Sequence, residues 1–392
     1  MRPHCHPIPV GALVAAMALL LTSCGPGGRD GAPGARLSAV AALADQSSVE
    51  GFARAVEPRE FLFPEDHGPH PDYQTEWWYF TTNLDAEDGR RFGAQWTVFR
   101  RALAPSMPER DSPWASRQLY MGHFAVADPG AGTFRSFERF ARGAAGLAGA
   151  QASPTRVWLE DWTAESLGTE DLFPLRLRAR GGDTALDLEL RSSKPKVLQG
   201  DRGLSKKSSI EGGASYYFSY TRLSAVGTLR IDGEDIPVTG SAWLDREWST
   251  SVLAPWQKGW DWFSVQLDDG RELMFYELRL EDGSADPASS GVLVDVDGGS
   301  IPLTLEEVDL EVLERWSSPR GGVYPARWRL RIPGHGLDLT VTPVMADQEL
   351  DISFRYWEGA VDVSGTAGDD PVSGRGYVEL VGYSEGSGTE GS

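Results

Sequence analysis

The sequence predicts an all-β protein built from two tandem antiparallel β-barrels packed side by side. Three observations predict it. Short segments alternate apolar and polar residues with period two. Asp-Gly pairs of the hairpin-turn type separate them. Three motifs of the first half return, in the same order, in the second. Period two places alternate side chains on opposite faces of a half-buried strand.

The chain opens with Arg2 and an apolar run from Val10 to Leu21, too short to span a bilayer but suited to a secretory signal. The run ends in Leu21-Thr22-Ser23-Cys24, which resembles a bacterial lipobox. Residues 1–23 are therefore expected to be a cleaved signal peptide, with Cys24 as the lipidation site. Several acyl chains hold a protein stably at a membrane. Gly25 stands where Asp would signal inner-membrane retention, so the expected place is the periplasmic face of the outer membrane. Cys5 falls in the signal. The mature chain then has neither a disulfide nor a catalytic thiol.

Residues 24–60 are rich in Gly, Ala and Arg and read as a flexible tether, with a short helix near Leu37–Leu43. Residues 61–250 and 251–385 read as the two barrels, and 386–392 as a disordered tail. The chain carries 37 basic and 57 acidic residues, which argues against nucleic acid as a partner and against electrostatic binding to anionic lipid. Fourteen Trp are a surplus that suits wide apolar cavities or strongly aromatic cores.

The strands are legible in turn. Leu175-Arg176-Leu177-Arg178, Leu186-Asp187-Leu188-Glu189-Leu190, Trp328-Arg329-Leu330-Arg331-Ile332 and Leu337-Asp338-Leu339-Thr340-Val341 all alternate. Asp88-Gly89, Asp232-Gly233 and Asp269-Gly270 mark turns between strands. The repeat begins with Trp77-Trp78-Tyr79-Phe80 before Asp88-Gly89-Arg90, echoed by Trp260-Asp261-Trp262-Phe263 before Asp269-Gly270-Arg271. Phe173-Pro174 leading to Leu186-Asp187-Leu188 matches Tyr324-Pro325 leading to Leu337-Asp338-Leu339. Gly227-Thr228 and Gly240, followed by Trp243-Leu244-Asp245, match Gly365-Thr366 and Gly374, followed by Tyr377-Val378-Glu379. A sheet of this size must cover or close its edges, so each repeat is expected to close into a barrel able to hold a small ligand, with two sandwiches as the alternative.

The stretch from His70-Pro71-Asp72 to Trp77-Trp78-Tyr79-Phe80 resembles the opening signature of the AttH / carotenoid 1,2-hydratase family of lipocalin-like proteins. Trp243-Leu244-Asp245-Arg246-Glu247-Trp248, Gly259-Trp260-Asp261-Trp262-Phe263 and Gly376-Tyr377-Val378-Glu379 resemble its later motifs. The resemblance covers nearly all of the mature chain. It implies two lipocalin-like barrels with a cavity within or between them, and no cofactor. It also implies a large apolar ligand (isoprenoid, polyene or acyl), or hydration or isomerisation of an alkene. Some relatives are encoded beside transporter permeases, which makes an ABC-transporter permease a candidate partner.

Asp245, Glu247 and Glu277 are the carboxylates expected near the cavity and the candidate catalytic acids. Trp77, Trp78, Tyr79, Trp243, Trp248, Trp260, Trp262, Tyr276 and Tyr377 are its expected aromatic lining, with Arg246 and His123 as polar contacts. Hydrating an alkene needs an acid whose pKa is raised by apolar surroundings, and aromatic faces for the resulting cation. The competing reading makes Asp245, Arg246 and Glu247 a buried ion network fixing the domain junction. Arg246 favours it, because hydratases of the family carry His there and a guanidinium cannot shuttle a proton. His123, isolated in sequence, also fits a satisfied inward residue. His67, His70 and Asp72 lie in a Pro-broken loop without a clear fourth ligand, so no metal is expected. Gly382-Tyr383-Ser384-Glu385-Gly386 matches a nucleophile elbow, but no acid–His pair follows it and the match is set aside.

Overall fold

The computed structural model describes residues 49–107, 112, 114–169, 171–250 and 253–383. The signal 1–23, Cys24, the helix expected near Leu37–Leu43, Ser384 and the tail 386–392 lie outside the described residues.

The first repeat forms one antiparallel sheet. Its strands are β1 (Thr75–Ala86), β2 (Arg91–Ala102), β3 (Gln118–Asp128), β4 (Thr133–Arg142), β5 (Ala148–Ala152), β6 (Thr155–Leu159), β7 (Trp162–Ser166), β8 (Leu175–Gly181), β9 (Thr184–Ser192), β10 (Val197–Leu198), β11 (Leu204–Lys206), β12 (Ala214–Ile231) and β13 (Glu234–Ser249). The second forms another, from β14 (Gln257–Leu267), β15 (Glu272–Leu280), β16 (Ser290–Val294), β17 (Ser300–Thr304), β18 (Asp309–Ser317), β19 (Val323–Ile332), β20 (Leu337–Pro343), β21 (Glu349–Leu350), β22 (Tyr356–Ala367) and β23 (Asp370–Val381).

The repeat read from sequence is a repeat of topology. The first sheet runs β4-β3-β2-β1-β13-β12-β9-β8-β7-β6-β5 and the second β17-β16-β15-β14-β23-β22-β20-β19-β18. The hairpin β1–β2 thus corresponds to β14–β15, and β12–β13 to β22–β23. Surface ion pairs repeat too: Arg176 and Arg178 meet Asp187 as Arg329 meets Asp338. The glycines of the third motif have a steric reason. A Cβ at Gly227 would sit 2.0 Å from the Asp187 carbonyl oxygen, and one at Gly365 2.0 Å from that of Asp338.

Each repeat is a single sheet curled on itself, not a sandwich of two. Inside the first, the Trp96 indole on β2 donates to the Arg178 carbonyl on β8 at 3.1 Å, and Phe124 on β3 meets Trp162 on β7 with ring centres 5.9 Å apart. The first and last strands on each path are not paired with each other, so the barrels are open at that seam. The fold is two tandem lipocalin-like barrels.

Period two sorts the side chains. On β1, Trp78, Phe80 and Leu84 point into the first barrel while Tyr79 points out. On β14, Phe263 and Val265 point into the second barrel while Trp262 points out. The outward rows of β1, β12, β13, β14, β15, β22 and β23 meet in a third apolar cluster between the barrels, which includes Tyr79, Tyr217, Trp243, Trp262, Tyr276 and Tyr377.

The later part of the expected tether belongs to the fold. Phe52 and Ala55 are buried, the Ala53 amide donates to the Asp72 carbonyl at 2.9 Å, and the Arg59 guanidinium lies 5.5 Å from the Trp248 ring. Gly/Ala/Arg composition hid a segment that packs through a few apolar side chains.

Candidate functional site

Between the barrels lies a cleft of about 710 Å³, its open mouth included, within the range of small-molecule sites. Trp77, Tyr79, Phe99, Tyr217, Asp245 and Glu247 line it from the first repeat, with Lys207 from the loop before β12. Trp260, Trp262, Tyr276, Leu278 and Glu379 line it from the second. A second chamber of about 800 Å³ adjoins it, lined mainly by Leu119, Met121, His123, Phe140, Phe354 and Tyr356. Phe99, Trp260 and Glu379 line both.

The alternation explains how Asp245, Arg246 and Glu247 divide. Residues 244, 246 and 248 of β13 face the interior of the first barrel; 243, 245 and 247 face the second barrel. The expected Asp245–Arg246–Glu247 ion network therefore does not exist. Arg246 stacks over Trp78 at 3.8 Å and pairs with Glu76, which also pairs with Arg100. Both guanidinium groups hold the Glu76 carboxyl far below its usual range despite the burial that opposes it. His70 stacks on Trp248 at 3.7 Å and bridges Asp66 and Glu76. His67 meets the Tyr220 hydroxyl at 3.1 Å, and burial lowers its pKa to about 3. Trp78, Trp248 and Arg246 thus sit inside the first barrel and do not line the cleft.

Asp245 does line it. The Tyr217 hydroxyl donates to Oδ2 at 2.6 Å, and Ser219 and the Trp243 indole donate to Oδ1 at 2.5 and 2.7 Å. These three bonds favour the anion, but burial outweighs them and raises the pKa to about 7. Glu247 accepts from Ser215 and lies 3.3 Å from Lys207, whose ammonium also sits 3.9 Å from the Tyr276 ring centre. Burial opposes the Lys207 charge, but Glu247 keeps its pKa above the usual value.

Glu277 departs from expectation. It lies on the other face of β15 from Met274, Tyr276 and Leu278, opposite Asp261 on β14. Burial and the Asp261 charge push it up to about 7, but it is not part of the cleft wall. Its charged neighbours are Asp261 and Arg279, which pair with each other at 2.8 Å, and the Tyr383 hydroxyl donates to Asp261 at 3.0 Å.

Trp243 and Tyr377 lie in the interbarrel core. His123 lines the second chamber, its Nδ1 2.8 Å from the Tyr356 hydroxyl and its Nε2 3.3 Å from Glu138. No cluster of three or more potential metal ligands occurs among the described residues.

Sequence reasoning missed a carboxyl pair. Glu358 on β22 and Glu379 on β23 stand directly opposite in register. Burial raises Glu379 to about 7, aided by the Asp245 and Glu247 charges, and raises Glu358 further. Within the repeat Glu379 is the mate of Asp245: Tyr79 pairs with Asp245 across β1–β13, and Trp262 with Glu379 across β14–β23. The two barrels thus present equivalent acids to one another.

The model of the AttH-like family matches residues 54–383. No curated protein matches the chain in sequence. A crystal structure of an AttH protein from Nitrosomonas europaea is 38% identical, with a TM-score of 0.74 over 85% of this chain and 100% of that one. Kievitone hydratase from Nectria haematococca shares the fold at 16% identity, with a TM-score of 0.64 over 86% of this chain and 97% of that one. The family match spans both barrels and the cleft between them, and a relative this similar aligns over its whole length: the chain belongs to the AttH-like family.

Proposed function

We propose that the protein takes a large apolar molecule (isoprenoid, polyene or acyl) into the cleft between its barrels. The cleft wall carries this reading. Trp77, Tyr79, Phe99, Trp260, Trp262 and Tyr276 give an aromatic surface to a space large enough for a ligand, with few polar groups to fix orientation. In this reading the chain is exported, anchored through a lipid on Cys24 at the periplasmic face of the outer membrane, and exchanges its ligand with a membrane system such as an ABC-transporter permease. Changing Cys24 to Ala should move the protein from the membrane to the soluble fraction; retention at the membrane would refute the anchor.

The binding test uses cis-parinaric acid, a fluorescent polyene. Titration into the purified protein should quench Trp emission as energy passes to the polyene. Trp260→Ala should weaken binding roughly tenfold, since it removes a large apolar face from the site. Trp158→Ala, at a Trp on β6 that lines neither chamber, should not. Equal behaviour of the two variants, or no quenching by the parent, would refute the assignment.

A second reading has its own observation. Asp245 and Glu379, both pushed up to about 7, are acids in an aromatic cleft, as protonation of an alkene requires. The protein would then add water to a double bond or shift it, and the fold it shares with kievitone hydratase is compatible with such chemistry. Acyclic carotenoids incubated with the protein should gain one water by mass. Full recovery of unchanged carotenoid would remove that substrate.

A further inference from the structure

The loop from β2 to β3 and the loop from β4 to β5 lie together at one end of the first barrel. The Leu103 amide donates to the Arg117 carbonyl at 2.7 Å, the Gly143 amide to the Gln118 carbonyl at 2.9 Å, and the Arg142 guanidinium to the Ser116 carbonyl at 2.8 Å. Arg117 donates to the Ala104 carbonyl at 3.3 Å and to that of Pro71 at 3.1 Å. These bonds brace the loops against the barrel without turning their apolar side chains inward. Leu103, Met107, Trp114, Phe140 and Leu147 are all exposed, Trp114 most of them at 57%. Exposed apolar residues scattered singly are ordinary on a surface. Large ones gathered on two joined loops and the edge strand beside them form a patch, and such patches mark contact sites.

Phe140 ties the patch to a cavity. It lines the second chamber, opposite Met121, which lines it too. Thr75, Arg101 and Leu119 also line this chamber, and they stand at the ends of β1, β2 and β3 that adjoin the patch. The chamber thus reaches the patch at one side and shares Phe99, Trp260 and Glu379 with the cleft at the other. The described chain enters the fold at the same end. Gly51 backs onto the β2–β3 loop, where a Cβ would stand 2.9 Å from the Pro105 ring. Cys24 lies 25 residues before Val49, the first described residue, so an anchor there draws this end of the molecule toward the bilayer.

We propose that this end of the first barrel docks into the surface of a lipid bilayer through Leu103, Met107, Trp114, Phe140 and Leu147, and that an apolar ligand passes from the bilayer through the second chamber to the cleft. This rests on the binding and anchoring readings given above. Trp suits such a place because its ring is apolar and its N–H polar. The contact is apolar rather than electrostatic, since a chain of net charge −20 is not drawn to anionic lipid.

The test reads which faces of the protein enter lipid. Single cysteines replace Met107, Trp114 and Phe140 and, on other faces, Val226 on β12 and Leu313 on β18, which are exposed as well. Each carries the polarity-sensitive dye NBD. The protein is purified with Cys24 acylated, which blocks that thiol, and reconstituted in phosphatidylcholine vesicles containing spin-labelled acyl chains. NBD emission at the three patch sites should rise at least about twofold and be quenched by the spin labels, and the two controls should stay as in water. High salt should leave the pattern unchanged. Patch labels that stay in water in pure lipid overturn the docking, and so does an equal response at all five sites. A chain recovered without lipid on Cys24 refutes the anchor alone. The labels are then placed in the chain carrying Cys5→Ala and Cys24→Ala and mixed with the same vesicles, where the same pattern decides. Passage of ligand is read as transfer of cis-parinaric acid from vesicles to the protein. Met107→Asp with Trp114→Asp should slow transfer at least about tenfold, while direct titration stays within about twofold of the parent. Equal transfer rates overturn the route. Failure of the parent to bind in direct titration refutes the binding function instead, and the labels still decide the docking.

Discussion

Arg246→Ala is expected to lower stability by about 3–5 kcal/mol, because it unpairs a buried charge. Glu76 is fully buried inside the first barrel, and Arg100 and Arg246, each 1% exposed, both pair with it. Arg246 also donates to the Trp77 carbonyl at 3.2 Å and fills the space over the Trp78 ring. Its removal leaves Glu76 with one guanidinium, frees a buried carbonyl and opens a void against two Trp rings. Arg246→Lys should recover only part of the loss, since a point charge replaces neither the planar fork nor the stacking. A double-mutant cycle locates the partner. Arg246→Ala with Glu76→Gln should be strongly non-additive, and Arg246→Ala with Glu247→Gln additive. A loss under 1 kcal/mol in urea denaturation, or coupling to Glu247, would contradict this placement.

The same positions show what could be read without coordinates. Alternation in Leu186-Asp187-Leu188 and Leu337-Asp338-Leu339 places strands β9 and β20, and the collinear motifs give both barrels. Applied to Trp243–Trp248, that rule separates Asp245 and Glu247 from Arg246, yet an Asp-Arg-Glu triplet invites a charge-pairing reading that overlooks the pleat. It likewise separates Glu277 from Tyr276 and Leu278. Glu379 was legible through the repeat, as the mate of Asp245. Glu358 was not, because its counterpart across β12–β13 is Ser219, and a repeat carries no signal where the copies differ. His123 meets Tyr356 across 233 residues of sequence, a contact between the two barrels that local pattern does not encode.

Glu379→Gln is expected to stabilise the protein at pH 8 by about 3 kcal/mol, the linkage equivalent of a carboxyl moved from 4.5 to about 7. The sign follows from proton counting. Glu379 binds its proton more tightly folded than unfolded, so its contribution is fully present below pH 4.5 and is lost as pH rises through 7. Asp245 acts in the same direction between 3.8 and about 7. Other buried groups act oppositely. Glu76, held low by its two arginines, loses its contribution as pH falls below 4.5. His67, kept neutral by burial, disfavours the fold as pH falls from 6.5 toward 3. The parent's overall pH curve mixes these terms, whereas the difference between variant and parent isolates the one carboxyl. That difference should be small at pH 4, grow between pH 4.5 and 7, and level off above. Urea denaturation of both proteins from pH 4 to pH 8.5 measures it. A flat difference curve, or a variant less stable than the parent at pH 8, would mean that Glu379 is not strained by its burial. A rising curve would mean that the fold gives up stability to keep a carboxyl buried in the cleft wall.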